Sequence, residues 1–286
     1  MIEDVLSYLW TAILASLIQI GVFLVPGLVL ALIMNYESRF VVRRALLTMG
    51  DRWYLGLFGW LGTIVHELGH VIFCLIFRHK ITSMKLFDPD LETGILGRVE
   101  QTYNSKSVYQ LVGNFFIGLG PILLGTAIIC LLSYLLLGIN PFKLADNFNM
   151  GSSYMPSWDA LMQIFQILWT SSTILVYKLF SWHNLSGWQL YVFIYLAFAI
   201  GSSITLSPSD IKASLKGFSV ILILIFIFNL ATIWAGDFVS NIITGIVGYF
   251  RVFYTAMFLI LLLNIAVSIL LLLPLSLLRA RHLASK

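Results

Sequence analysis

Long apolar runs separated by short polar stretches dominate the chain. Crossing the hydrocarbon core of a bilayer takes roughly 20 apolar residues in a helix, and runs of this length recur here. They predict spans at residues 5–34, 53–77, 108–137, 187–206, 218–235 and 250–275. The pattern therefore predicts one integral membrane domain over residues 1–286. We expect an all-α polytopic membrane fold with six transmembrane helices, or seven if one further segment crosses.

The polar connections add detail to this fold. Residues 35–52 mix arginines with apolar side chains, which is typical of a short helix at the membrane surface. Residues 138–186 combine a turn-rich loop with a partly apolar segment, 159–180. That segment could lie on the surface as an amphipathic helix, re-enter the membrane or cross it.

Residues 78–107 form the longest polar stretch in the first half of the chain. Two segments in which apolar and polar residues alternate, 80–87 and 95–100, flank the turn sequence Asp88-Pro89-Asp90. This pattern predicts a short β-hairpin-like insertion after the second span. Such a pair of strands could offer an open edge to an extended peptide. An ordinary interhelical loop explains the same residues equally well.

The span at 53–77 contains His66-Glu67-Leu68-Gly69-His70, an H-E-x-x-H motif. On a helix, residues four apart lie one turn apart on one face, so both imidazoles can bind one metal ion. The Glu67 carboxylate can reach a water on that ion and take its proton. Polar side chains on a membrane helix are costly unless they face a metal or a polar cavity. We therefore predict a Zn²⁺ site within the membrane.

A third ligand is needed, because a hydrolytic zinc centre usually has three protein ligands and a water. Asp210, in the short loop at 207–217, follows a span and is our first candidate. Its Ser-Pro-Ser-Asp context is also typical of a helix N-cap. Cys74 lies one turn beyond His70 and is conceivable, although such a cysteine more often fills space. The other loop carboxylates are weaker candidates: Asp88, Asp90, Glu100, Asp159 and Asp237.

Other polar residues in or near the spans have less specific interpretations. Asn114 could orient a substrate or an oxyanion, or it could form a hydrogen bond between helices. The remaining histidines lie at loop or tail positions, where solvated side chains are expected: His79, His183 and His282.

Composition and charge agree with a membrane protein. The 286 residues are 59% hydrophobic and 10% charged, with a mean hydropathy of +0.94, whereas soluble domains have about a quarter of their residues charged. The net charge of +4 is too small and scattered to suggest nucleic acid. A count of six crossings places the Asp210 loop on a basic, cytoplasmic side. The same count places a block of arginines on the opposite side: Arg39, Arg43, Arg44 and Arg52.

These residues resemble the site-2 protease family of intramembrane zinc metalloproteases. The resemblance lies in the motif within a span, the hairpin-like stretch after it, and Gly120-Pro121 in the next span. That family takes its third zinc ligand from an aspartate on a later span, which implies this role for Asp210. Here Ile211 follows the aspartate, where the family commonly has glycine. The resemblance implies a divergent, multi-pass relative in a prokaryotic plasma membrane.

The expected function is therefore a membrane-embedded zinc metalloprotease with His66, His70 and Asp210 as metal ligands. A zinc-activated water would attack the peptide bonds of membrane-associated substrates, with Glu67 as general base. The alternative is a non-proteolytic membrane protein with a retained zinc site, such as a metal transporter or a scaffold. Glu67 favours the protease, because ion passage does not require a carboxylate between the histidines. The expected partners are the lipid bilayer and a protein or peptide substrate.

Overall fold

The computed structural model describes residues 2–90, 92, 94–140, 158–232 and 237–269. Within these residues the chain is mainly helical and contains a two-stranded sheet. The helices are α1 (Ile2–Met49), α2 (Asp51–Tyr54), α3 (Trp60–Ile76), α4 (Val108–Leu137), α5 (Trp158–Leu179), α6 (Trp182–Leu185), α7 (Trp188–Gly201), α8 (Pro208–Thr232) and α9 (Asp237–Val267). A π-helical turn, Leu55–Gly59, joins α2 to α3, and the strands are β1 (Lys80–Lys85) and β2 (Arg98–Thr102).

Four helical segments are long and apolar enough to cross a membrane. They are Val5–Met49, Asp51–Ile76, Val108–Leu137 and Pro208–Thr232. Two further apolar helices, Trp188–Gly201 and Phe253–Val267, are shorter. The helical membrane fold with a small sheet agrees with the prediction. The described residues support four spans, fewer than the six or seven that the apolar runs predict.

The first helix is much longer than the sequence pattern suggests. It continues unbroken for 48 residues and passes through Pro26. The sequence pattern instead predicts two elements over this part of the chain, a span at 5–34 and a separate surface helix. No glycine or proline lies between Met34 and Met49, so nothing there interrupts the backbone. The helix ends at Gly50, whose φ of 83° lies in the left-handed region that glycine adopts readily.

A hairpin forms and packs back along the metal-motif helix, with β1 where alternation predicts it and β2 beginning at Arg98, later than the predicted segment at 95–100. Strands β1 and β2 pair antiparallel. Beyond β1, Phe87 shares a cavity wall with Trp60 of α3. Just before β2, Gly97 lies beside the side chains of Thr63 and Glu67. The hairpin therefore covers one side of α3 at the level of the motif.

A buried polar cluster fastens the base of the hairpin. Gln101 on β2 accepts a hydrogen bond from the Cys74 thiol at 2.7 Å, and its Oε1 lies 2.9 Å from Nδ1 of His79. Nε2 of His79 donates to the backbone oxygen of Gln110, and the ring stacks on Tyr103. His79 is thus buried, whereas the sequence predicts a solvated side chain. Its role is to hold the strands against α3 and α4.

Helices α3 and α4 cross with their backbones in contact. A Cβ atom on Gly69 would lie 2.6 Å from the carbonyl carbon of Gly120, closer than real Cβ atoms approach any atom. Small residues at such a crossing permit the close packing that membrane helices depend on. The crossing brings α4 against the turn between His66 and His70 and so builds one wall of the metal centre.

Candidate metal centre

The structure brings together the three side chains that the sequence nominates as metal ligands. His66 and His70 lie on α3, and Asp210 lies in the first turn of α8. One donor atom from each lies within 4.8 Å of the other two, and His70 Nε2 is 3.5 Å from Asp210 Oδ1. Two ligands of a tetrahedral zinc ion, each about 2.0–2.1 Å from the metal, are roughly 3.3–3.4 Å apart. The group could hold a metal ion, and the His70–Asp210 pair is already near the separation that a shared ion requires.

Backbone carbonyls orient both imidazole rings. Nδ1 of His66 donates to the backbone oxygen of Ser203 at 2.9 Å, and Nδ1 of His70 donates to that of Ile117 at 2.8 Å. A carbonyl oxygen only accepts, so each Nδ1 carries the proton and the lone pair of the neutral ring is on Nε2. Metal-binding histidines are commonly held in this way. Two imidazole nitrogens and one carboxylate oxygen form a donor set that suits zinc.

The carbonyl that receives His70 is available because of Pro121. In an α-helix the carbonyl of one residue accepts from the N–H four residues later, and proline has no N–H. Ile117 lies four residues before Pro121 within α4, so its carbonyl lacks the usual helical donor. His70 supplies the donor instead. The Gly-Pro pair therefore has two effects. Gly120 lets the backbone of α3 approach closely, and Pro121 leaves the Ile117 carbonyl free to accept a hydrogen bond from His70.

We expect Pro121→Ala to weaken zinc binding. An N–H at position 121 would compete with His70 for the Ile117 oxygen and loosen the ring. Removing such a partner of a metal ligand typically costs 10- to 100-fold in affinity. We expect about 10-fold, because a carbonyl can accept two hydrogen bonds. Competition with a chromophoric zinc chelator measures the change. Pro26→Ala, also inside a helix, is the control, and an equal loss there would contradict the interpretation.

Asp210 caps helix α8 and keeps one carboxylate oxygen toward His70. Its backbone N–H donates to Ser207 Oγ at 3.1 Å, and its Oδ2 accepts from the Ser207 N–H at 2.8 Å and from the Ser207 hydroxyl at 2.6 Å. This reciprocal pair is a capping box at the start of α8. The other oxygen, Oδ1, faces His70. The cap uses one oxygen and so fixes the carboxylate with its second oxygen toward the imidazoles.

A cavity of about 470 Å³ opens at these three side chains, and Glu67 forms part of its wall. Glu67 is 7% exposed. The hairpin covers it closely, because a Cβ atom on Gly97 would lie 2.7 Å from Glu67 Cγ. The cavity places a buried carboxylate beside the candidate metal position in a space that could admit a short stretch of chain.

No family model, curated protein or solved structure matches this chain. Its function must therefore be argued from the geometry of the metal centre and from the motif that builds it.

The structure separates the remaining candidates from the metal centre. Cys74 donates its thiol hydrogen to Gln101. The hairpin carboxylates have local partners, namely Lys85 for Asp88, Arg98 for Glu100, and the Glu92 N–H for Asp90. The side chains of Asp159 and Asp237 lie outside the described part of the chain. Among the described residues, only His66, His70 and Asp210 form such a group.

Asn114 has a different setting from either sequence-based interpretation. It is 2% exposed, and its amide nitrogen lies 3.5 Å from the backbone oxygen of Gln110 in the same helix. It does not line the cavity at the metal centre.

The partners that sequence reasoning missed are backbone groups, the carbonyls of Ser203 and Ile117. For Ile117 a signal exists, namely a proline four residues later on an apolar helix.

Proposed function

We propose that this protein is a membrane-embedded zinc metalloprotease that hydrolyses peptide bonds of membrane-associated proteins. One observation carries the proposal: His66, His70 and Asp210 converge at a cavity that Glu67 also lines. Three such ligands and one position left for water are typical of hydrolytic zinc centres. A structural or transport site would not need Glu67, whose carboxylate is suited to general base catalysis.

The residues of this chain have distinct roles in the proposed reaction. When bound, zinc supplies Lewis acidity, which brings the pKa of a water that it binds to about 7. Glu67 accepts the proton of the attacking water on a carboxylate oxygen and later gives it to the nitrogen of the leaving amine. The hydrogen bonds to Ser203 and Ile117 keep both rings in place. Ser207 does the same for the Asp210 carboxylate.

The position of the motif supports a membrane-associated substrate. His66, Glu67 and His70 lie inside the candidate span Asp51–Ile76. A soluble folded protein would have little access to a cavity there, whereas a transmembrane or surface-bound segment could reach it once its backbone is extended. We place the protein, on the strength of the resemblance, in a prokaryotic plasma membrane as a multi-pass protein.

Metal removal tests this function directly. We expect the purified protein in nanodiscs to carry about one zinc ion per chain and to generate new N-termini in a membrane-protein extract. A strong chelator should stop cleavage because the Lewis acid is lost, and added zinc should restore it. His183→Ala, at an exposed position, is the control and should behave as wild type. No cleavage by zinc-loaded protein, with zinc uptake into sealed vesicles, would support the transporter instead.

A further inference from the structure

A second cavity, of about 680 Å³, adjoins the metal centre and has arginines on its wall. Arg39 and Arg43 of α1 line it, together with His66 and Glu67 of α3. This cavity and the one at the metal centre have several residues in common, namely His66, Glu67, Ile95, Gly97 and Ser207. The two cavities therefore lie side by side with a common wall at Glu67 and make up one composite groove, with Arg39 and Arg43 on the wall of its second cavity. We call it the arginine groove.

A hydrogen bond holds the arginine-bearing part of α1 near the candidate metal centre. The Ser38 hydroxyl, directly before Arg39, donates to the backbone oxygen of Ser202. The next residue, Ser203, accepts the hydrogen bond from His66. The same loop thus anchors α1 and orients a metal ligand. Arg43 lies one helical turn beyond Arg39 on the same face, so both side chains are placed along one wall.

Arg39 and Arg43 lack a carboxylate partner within the part of the chain that the structure describes. Among the described residues that line the second cavity, Glu67 is the one acidic side chain. The neighbouring Arg44 differs, because its guanidinium stacks on Phe40 at 5.2 Å and it does not line the cavity. The sequence-based count of crossings places this block opposite the Asp210 loop, whereas Arg39 and Arg43 reach a cavity that Ser207 also lines.

We propose that Arg39 and Arg43 bind an acidic side chain of the polypeptide substrate, near the peptide bond that is cut. This inference rests on the proposed protease function and specifies its substrate class. Two guanidinium groups one turn apart can form charge-assisted hydrogen bonds to a carboxylate, and both arginines are exposed, so an incoming chain can reach them. The partner is a polypeptide rather than a lipid phosphate, since residues of the hairpin and of the 202–207 loop wall the groove. A substrate chain crossing the metal centre would continue toward the arginines.

Peptide binding to an inactive, zinc-loaded protein tests the inference without relying on turnover. Full-length Glu67→Gln protein in phosphatidylcholine nanodiscs is titrated with fluorescent peptides of about 12 residues. The peptides contain either an Asp-Asp or an Asn-Asn pair, and all their other residues are uncharged. We expect the Asp-Asp peptide to bind about 10-fold more tightly. Adding Arg39→Gln and Arg43→Gln should abolish this preference, while zinc content stays unchanged. Changing both to Glu should favour Lys-Lys peptides. Arg44→Gln is the matched control and should keep the Asp-Asp preference.

Each other outcome has a distinct meaning. Equal binding of both peptides by a protein whose wild type cleaves membrane proteins would overturn the arginine inference and leave the protease intact. A clear Asp-Asp preference with no cleavage by wild type would count against the protease function instead. If the Arg→Gln changes reduced binding of anionic phosphatidylglycerol and left both peptides unaffected, the arginines would serve lipid and the inference would fail.

Discussion

Replacing Glu67 with glutamine is expected to abolish peptide hydrolysis while the protein keeps its zinc. Glutamine has nearly the same shape but cannot accept the proton of the attacking water, and general base catalysis typically contributes 10²–10⁴-fold to the rate. The three candidate ligands are other residues, so metal binding should persist. We expect a rate loss of at least about 100-fold with an unchanged zinc-to-protein ratio. Cleavage of a membrane-protein extract and elemental analysis of the same sample measure both quantities.

The matched control is Glu92→Gln, an exposed glutamate in the hairpin turn, which should retain full activity. Two results would count against the proposed role of Glu67. Undiminished proteolysis by the Glu67→Gln variant would end the proposal that this carboxylate acts as the base. Loss of zinc together with activity would show that the carboxylate holds the centre together and does not act on the water.

Features that depend on local spacing could be predicted from the sequence. The shared face of His66 and His70 follows from the helical repeat alone. Two alternating segments around a turn indicate the hairpin, although an ordinary loop explains them equally well, and the pairing of β1 with β2 decides for the hairpin. The membrane character follows from composition. In each case the deciding physical effect acts over a few neighbouring residues, so no knowledge of the tertiary fold is needed.

The length of α1 shows where hydropathy misleads. The sequence pattern divides residues 35–52 from the first span because arginines begin there. Arginine is a good helix former, however, and a change in polarity does not end a helix. The real stop is Gly50, where the backbone turns to a positive φ. The position of Arg39 and Arg43 on a cavity that His66 also lines then depends on how α1 packs, which no local pattern encodes.

The groups that orient the candidate metal ligands could not be predicted from the sequence for a related reason. Its members are backbone carbonyls, and every residue has one, so residue type gives no signal. The exception is Ile117, because Pro121 frees its oxygen in a way that the sequence records. For Asp210 the sequence suggests a choice between cap and ligand. In the structure the cap uses Oδ2, which Ser207 contacts, and Oδ1 lies near His70, so capping leaves one oxygen for the proposed ligand role.

Asp210→Asn is expected to lower zinc affinity by more than about 100-fold, with little change in thermal stability. The substitution removes the negative charge and leaves one amide oxygen, which can still accept from the Ser207 N–H and so preserve the cap. Losing a direct ligand should lower zinc affinity by more than losing a ligand's hydrogen-bond partner does, which typically costs 10- to 100-fold in affinity. Zinc affinity is measured by chelator competition, and the unfolding midpoint by a thermal melt of the metal-free protein in the same nanodiscs.

Ser207→Ala makes the complementary change and allows the two roles of Asp210 to be separated. It removes the hydroxyl that accepts from the Asp210 N–H, so the start of α8 should lose about 1 kcal/mol of stability. The carboxylate and its charge remain, and the N–H of residue 207 can still donate to Oδ2, so zinc affinity should fall by about 10-fold, the low end of the cost of losing a ligand's hydrogen-bond partner. The two variants should therefore show opposite patterns in the two measurements. If Asp210→Asn instead kept full zinc affinity and melted early like Ser207→Ala, the carboxylate would be a cap alone, and the metal centre would lack its third ligand.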